Sequence, residues 1–397
     1  MFASIDELKS FLAGKVEIAG DGVKVVDEEA LKGAMRELME NAVLNENEEV
    51  RDAARWVILE AGHELGIILA SIHDLYMARG RKEYSGMSVP AINIRGFTYD
   101  MAKAVFSGCA NKNCGAVIFE IAKSEMGYTF QRPMEYTTCV MAAAINEGFR
   151  GPLFIQGDHF QFKAKNFRAD RDKEIQGIKD LIKEAIEGGY YNIDIDSSTL
   201  VDLDRPTLDE QQKDNYEMCA MMTNYIRDIE PDGVTISTGG EIGEVGEKNS
   251  TVEELVAFME GFKKNLEQGK AGISKVSVQT GTSHGGVVMP DGSIADVSID
   301  FDTLRELSNA GIDKGGIGGA VQHGASTLPD DAFDKFPQMD TLEVHLATGF
   351  QNILMDSPDF PEDLKNKMYS WMKENLAGER KEGWTDEQFF AKLRKKA

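Results

Sequence analysis

The sequence predicts an α/β protein of the (β/α)8 class, a TIM barrel carrying an N-terminal helical extension and C-terminal helices. Three observations support this. Eight short strand-like runs follow one another, helical patterns separate them, and polar residues gather at one end of the runs. The runs are SVPAINI, GAVIFEI, GPLFIQGDH, YYNIDIDSS, GVTISTGGEI, SKVSVQTGTSH, GIGGAVQH and LEVHLAT. Their polar ends recur about every 25 to 45 residues, the length of one β-loop-α-loop unit. An open doubly wound sheet would concentrate such groups at a single switch point.

Taken in order, residues 1 to about 82 read as a helical extension, and residues 83–397 as the barrel with its C-terminal helices. From Glu48 the apolar positions Val50, Ala54, Val57, Ile58, Ala61, Leu65, Ile68, Leu69, Ile72 and Leu75 keep helical spacing. Between the strand runs, RDKEIQGIKDLIKEAIEGG closes on a glycine pair. TVEELVAFMEGFKKNLEQG opens on Thr251 with Glu254 three residues later, the pattern of a capping box. After Gly349, PEDLKNKMYSWMKEN and TDEQFFAKLRKKA predict two closing helices.

Composition narrows the function. A formal charge of −24 repels a nucleic-acid backbone, and the short KLRKK tail is too small to reverse that. The four cysteines in 397 residues do not form a disulfide framework or a common zinc-site spacing, so they read as reduced thiols. No apolar run approaches a bilayer span and the N-terminus lacks a long apolar h-region, which predicts a cytoplasmic protein without membrane contact.

The polar strand-end residues are Asn93, Glu120, Asp158 with His159, Asp196, Glu241, His284, His323 and His345. Four of the six histidines fall among them. Imidazole is the commonest metal ligand, and a catalytic zinc takes three protein ligands while leaving a position open. His159, His284 and His323 form such a trio. Asp158 stands beside His159 as a proton-exchanging carboxylate, or alternatively as a group that orients the histidine. GTSHGG, QHGAST and LATG have the small residues and hydroxyls of an anion cradle, with Ser326, Thr327 and Thr348 as donors. Lys163, Lys165 and Arg168 follow His159 and either attract an anionic substrate or form a solvated surface. No complete nucleotide-binding glycine motif is present.

The segment Gly281-Thr282-Ser283-His284-Gly285 also fits G-x-S-x-G, which would make Ser283 a hydrolase nucleophile. A nucleophile elbow needs a helix directly after the serine. Here GGVVMPDGSIAD follows, with Pro290 and Gly292 breaking it. His284 is therefore the better chemical candidate, and the serine-hydrolase reading would leave Asp158, His159 and Glu241 without a role.

VPAINI, GDHFQFKAK, NIDIDSS, GGEIGEVG, QTGTSHGG, VQHGAS and VHLATGFQ occur in this order and at barrel spacing between Ser88 and Phe350. This series resembles that of the class II, zinc-dependent fructose-bisphosphate aldolases. The resemblance implies a homodimeric or larger glycolytic and gluconeogenic enzyme that reversibly cleaves a ketose bisphosphate. Fructose 1,6-bisphosphate would give dihydroxyacetone phosphate and an aldehyde phosphate through a metal-stabilised enediolate. It also implies zinc on His159, His284 and His323, with Glu241 as an alternative ligand, and Asp158 handling the C4 hydroxyl proton. Gly285, Gly324, Ser326 and Thr348 would hold a phosphate, with a monovalent cation possible nearby, and Asn93 and His345 would face the substrate. Two departures stand out. Lys248 and Asn249 occupy the register of the family's mobile-loop acidic pair, leaving Glu247 or Glu244 to act as the acid. His345 replaces a substrate-contacting Asn. These departures leave room for a related metal barrel acting on another phosphorylated ketose, or a catalytically altered paralogue. Neither fructose nor tagatose stereochemistry is fixed by these motifs.

Overall fold

A computed structural model describes residues 1–243, 248–281, 289–291 and 299–397. The N-terminal segment contains helices Ile5–Leu12, Glu28–Leu44, Glu48–Glu64 and His73–Gly80. It also contains a hairpin, β1 (Val16–Ala19) with β2 (Gly22–Val25), and a short strand, β3 (Ile67–Leu69). The all-helical reading missed both. The hairpin strands have four residues each and bury only Val16 and Val23, too little alternation to register as strands. The apparent long helix breaks at Gly66, whose φ of +79° suits glycine. The apolar run that follows leaves the helix and pairs in parallel with Gly151–Leu153.

The eight barrel strands are β4 (Val89–Asn93), β5 (Ile118–Ala122), β6 (Gly151–Gln161), β7 (Asn192–Asp196), β8 (Ser237–Glu241), β9 (Lys275–Val278), β10 (Ala320–Gln322) and β11 (Glu343–Leu346). Each matches one of the eight predicted runs. Neighbours pair in parallel in chain order, and β11 pairs with β4 through Glu343↔Val89 to Leu346↔Ile92, closing the barrel. The intervening helices pack apolar residues against the barrel, and Pro133–Asn146 is buried on nearly every face. Arg171–Glu187 is capped by Asp170 and buries Ile178, Leu181, Ile182, Ala185 and Ile186. Val252–Asn265 begins with the predicted reciprocal Thr251/Glu254 capping box. Helices Glu362–Asn375 and Asp386–Leu393 follow the barrel. All four cysteines are free thiols. Among the described residues, no helix is long and apolar enough to cross a membrane.

Helix His73–Gly80 closes the base of the barrel. Ile72 and Tyr76 pack with Val89, Ala91, Ile118, Phe154 and Leu342 near the starts of the strands. The Tyr76 hydroxyl donates to Glu343 inside the barrel. Just above, the interior is ionic. Lys275 Nζ lies 2.6 Å from Glu343 Oε1, 2.9 Å from Asp194 Oδ1 and 2.7 Å from Gln156 Oε1. This polar layer replaces the branched apolar residues that usually fill such barrels, and it lies directly beneath the strand ends that carry the candidate site.

Candidate metal centre and active site

The mouth of the barrel is shaped by a break in β6. Its register with β7 runs through Gln156↔Asn192 and Gly157↔Ile193 and resumes at Phe160↔Ile195, so the β6 side carries one extra residue. A regular strand would send Asp158 and His159 to opposite faces. The bulge, with His159 at φ +44°, instead brings His159 Nε2 within 3.7 Å of Asp158 Oδ1. Gly157 makes the break possible, because a Cβ there would lie 2.4 Å from the Phe160 ring.

His159 Nδ1 sits 3.0 Å from Asp196 Oδ2 at the end of β7. Gln161 Nε2 donates to the same oxygen at 2.6 Å and Ser198 Oγ to the other at 2.7 Å, so the orienting carboxylate is itself fixed. His323, directly after β10, meets His159 edge to face with ring centroids 4.5 Å apart. His323 Nδ1 is 3.8 Å from Glu241 Oε2, and its Nε2 is 3.3 Å from Ser277 Oγ. Asp158, His159 and His323 each present a donor atom within 4.8 Å of the others. Two imidazoles and a carboxylate at this spacing, one imidazole backed by a second carboxylate, fit a divalent metal ion. Asp196→Asn is expected to weaken metal binding by about 10- to 100-fold. An unchanged zinc affinity in a competition titration with a chromogenic chelator would count against the orienting role.

A cavity of about 660 Å³ opens over these residues. Asn93, His323, Gly324, Ser326, His345 and Thr348 line it, together with Arg95, Lys123, Lys163, Lys395 and Lys396. Five cations, against the carboxylates of Glu120, Glu125 and Asp158, line this one cavity of a chain whose formal charge is −24. On one wall Gly324, at φ +71°, leads into the turn Ala325–Thr327, and helix Thr348–Met355 starts beside it. The Gly349 N–H donates to Ser326 Oγ at 3.1 Å, and a Cβ at Gly349 would lie 2.4 Å from the Ser326 carbonyl oxygen. The two small-residue loops therefore touch backbone to backbone. Lys165 and Arg168 are exposed on helix Ala164–Ala169.

Of the residues singled out from the sequence, Asp158, His159, Glu241 and His323 come together, and Asn93, Gly324, Ser326, His345 and Thr348 line the cavity. Asn93 Nδ2 donates to Glu125 at 2.6 Å, and Glu125 also holds Arg95 at 2.9 Å. His284, Gly285, Ser283, Glu244 and Glu247 lie outside the described residues. Lys248 is tied to Glu254 at 2.8 Å, and Asn249 donates to Asp300. Sequence reasoning had no place for the contact between Asp196 and His159, or for the ionic layer of Lys275, Asp194 and Glu343. A usable signal existed, since each of these charges stands directly beside an isoleucine, leucine or valine within a strand run.

Burial alone would lower the His159 pKa. Asp158 and the Asp196 hydrogen bond outweigh it and hold the group well above its usual 6.5. Glu120 is pushed up to about 7, chiefly by burial. Both groups therefore keep protons in the fold that the unfolded chain releases, Glu120 from its usual 4.5 up to about 7 and His159 above 6.5. Their contribution to stability is lost as pH rises through these ranges. In chelator, the melting temperature is expected to fall between about pH 5 and 8. Added zinc should restore it more at the upper end, because metal displaces the imidazolium proton. A melting temperature in chelator that rises with pH would contradict this.

Comparison with known proteins gives a family and a fold. Residues 80–387 match the family described as "Fructose-bisphosphate aldolase class-II". No curated protein sequence matches the chain significantly. Among solved structures, a probable tagatose 6 phosphate kinase from Sinorhizobium meliloti 1021 is 16% identical, covering 78% of this chain and 82% of its own, with a TM-score of 0.57. A fructuronate-tagaturonate epimerase from Cohnella laeviribosi is 12% identical, covering 97% and 78%, with a TM-score of 0.54. These two are similar in fold. A fructose-bisphosphate aldolase from Campylobacter jejuni is 16% identical over 83% of this chain and 91% of its own, with a TM-score of 0.48. The family match spans well over half of the 397 residues and overlies all eight barrel strands, so the chain belongs to the class II fructose-bisphosphate aldolase family.

Proposed function

We propose that the protein is a zinc-dependent aldolase that reversibly cleaves a ketose bisphosphate, fructose 1,6-bisphosphate being the first candidate, into dihydroxyacetone phosphate and an aldehyde phosphate. The observation that carries this reading is the convergence of Asp158, His159 and His323 at the floor of a cation-rimmed cavity. In this reading His159, His323 and His284 hold the zinc ion, with Glu241 as the alternative ligand. The bound ion supplies positive charge where the ketone oxygen becomes negative.

The other steps belong to the chain's own side chains. Asp158 takes the C4 hydroxyl proton as the C3–C4 bond breaks and returns it in the condensation direction. Glu247 supplies the proton that C3 then requires. Gly324, Ser326, Thr348 and Gly285 receive one phosphate, Asn93 and His345 face the substrate, and Arg95, Lys123, Lys163, Lys395 and Lys396 draw in its negative charge. A monovalent cation beside that phosphate, a homodimeric or larger assembly and a cytoplasmic location belong to the same reading. Lys275 is unavailable for a Schiff base, because its ammonium is enclosed by Asp194, Glu343 and Gln156.

The test is cleavage of fructose 1,6-bisphosphate and of its C4 epimer, before and after chelation. Full activity in chelator would exclude a metal-dependent mechanism. A second reading, cleavage of a different phosphorylated ketose, is favoured by His345 and by Lys248 and Asn249. It predicts turnover of neither bisphosphate.

A further inference from the structure

Cys109 and Cys114 stand at the end of helix Thr98–Lys112, just before β5 begins, whereas the residues of the metal centre lie at the other ends of the strands. Asn113 adopts the left-handed region at φ +52° and stops the helix. The Cys114 N–H donates to the Cys109 carbonyl at 2.9 Å, and the Asn113 N–H to the Ala110 carbonyl at 3.3 Å. This bond pair is the Schellman closure, which folds the sixth residue of the run back over the first and commonly packs an apolar pair there. In this chain both positions are cysteines.

The consequence is a meeting of two thiols. The Cys114 side chain reaches hydrogen-bonding contact with that of Cys109. A disulfide requires Cα atoms about 4.4–6.8 Å apart and side chains directed at one another. A direct backbone hydrogen bond between the two residues, together with contact between their thiols, meets this requirement without unwinding the helix.

Access ranks the four thiols. Cys114 is exposed, Cys109 is half-buried, and Cys139 and Cys219 are buried. Burial pushes the Cys109 thiol up to about 11, with Cys114 beside it adding to the shift, and burial pushes Cys139 up to about 12. Exchange needs both thiolate and access, so an external disulfide meets Cys114 first and Cys109 acts second, from behind it.

We propose that Cys109 and Cys114 form a thiol–disulfide exchange site, converted to an intrachain disulfide by a low-molecular-weight disulfide such as oxidised glutathione. The Cys114 thiolate attacks one sulfur of that reagent, the reagent's S–S bond breaks, and one glutathione leaves as its thiolate. Cys109 then gives up its proton and attacks the Cys114 sulfur, expelling the second glutathione. The protein dithiol is oxidised by two electrons, the reagent is reduced by two, and the two thiol protons end on the released glutathiones. A dithiol reductant reverses the change, as a transient disulfide in a reducing compartment requires. This inference goes beyond the aldolase reading and does not depend on it.

The test incubates full-length protein with oxidised glutathione, quenches it in acid, alkylates it under denaturing conditions and measures its intact mass. Wild type is expected to pass from four alkylated thiols to two while retaining no glutathione, and to regain all four in dithiothreitol. Trypsin, cutting after Lys112 between the two cysteines, should release two peptides joined by a disulfide. Cys109→Ser, folded by circular dichroism, is expected to stop with one glutathione on Cys114. Cys114→Ser, checked for folding in the same way, is expected to keep its remaining thiols free. Wild type that stops with glutathione on Cys114, that links to a second chain, or that keeps four thiols while the same reagent oxidises dithiothreitol would overturn the proposal. A Cys114→Ser protein oxidised as fast as wild type would overturn it too.

Discussion

Replacing His323 by alanine is expected to strip the catalytic metal and slow aldol cleavage by about 1,000-fold. A metal acting as Lewis acid lowers such a barrier by several kcal/mol, and each 1.36 kcal/mol is tenfold in rate. His323 is exposed to the extent of only 7%, and its ring is wedged between those of His159 and His345, with centroids 4.5 and 4.1 Å away. No neighbouring imidazole can therefore move into its place without disturbing the other two. The companion variant Asp158→Asn leaves both imidazoles in place, so it should lose less metal than His323→Ala while losing about 10²- to 10⁴-fold in kcat. Elemental analysis and a coupled cleavage assay on the same preparations check both. A His323→Ala protein with full metal content and normal kcat would remove the basis of the proposed mechanism.

Replacing Lys275 by methionine is expected to destabilise the fold by about 3–5 kcal/mol, the usual cost of leaving buried charge without its partner. Lys275 is completely buried and is the ammonium that Glu343 and Asp194 share. Burial alone would raise the Glu343 pKa, but Lys275 and His345 outweigh it and hold that carboxyl far below its usual range. A depressed carboxyl pKa contributes stability at neutral pH that is lost only as pH falls through the folded value. Without Lys275 the buried Glu343 shifts upward and can protonate. The deficit of the variant should therefore be largest near neutrality and shrink in mild acid. Adding Glu343→Gln should recover part of the loss. Denaturant unfolding at two pH values measures this, and a loss under about 1 kcal/mol would mean that the interior charges are solvated or already neutral.

Much of the barrel was legible because strand, turn and helix signals agreed locally. The runs ending in Asn93, Glu241 and His345 each combine β-branched or small residues with a polar terminus, and all three became barrel strands. Thr251 and Glu254 announced their helix unaided. The site was legible where chemistry stands at a strand end, as with Asp158, His159 and His323. What remained hidden depends on pairing across distance. Glu343 meets Lys275 across 68 residues and Gln156 across 187, and no local period records such contacts. The barrel strands are also buried on both faces, so burial does not separate inward from outward positions. Residues 67–69 were misread because an apolar run that short satisfies helix and strand templates alike.

The bulge in β6 makes position 159 a place where fold and chemistry want different residues. Holding an imidazole at φ +44° costs on the order of 1 kcal/mol that glycine would not incur, and valine or isoleucine would tolerate the position worst. A descendant of this chain released from catalysis would drift toward glycine or asparagine there and gain robustness. Persistence of histidine at that one backbone angle would then report that the chemistry is still under selection.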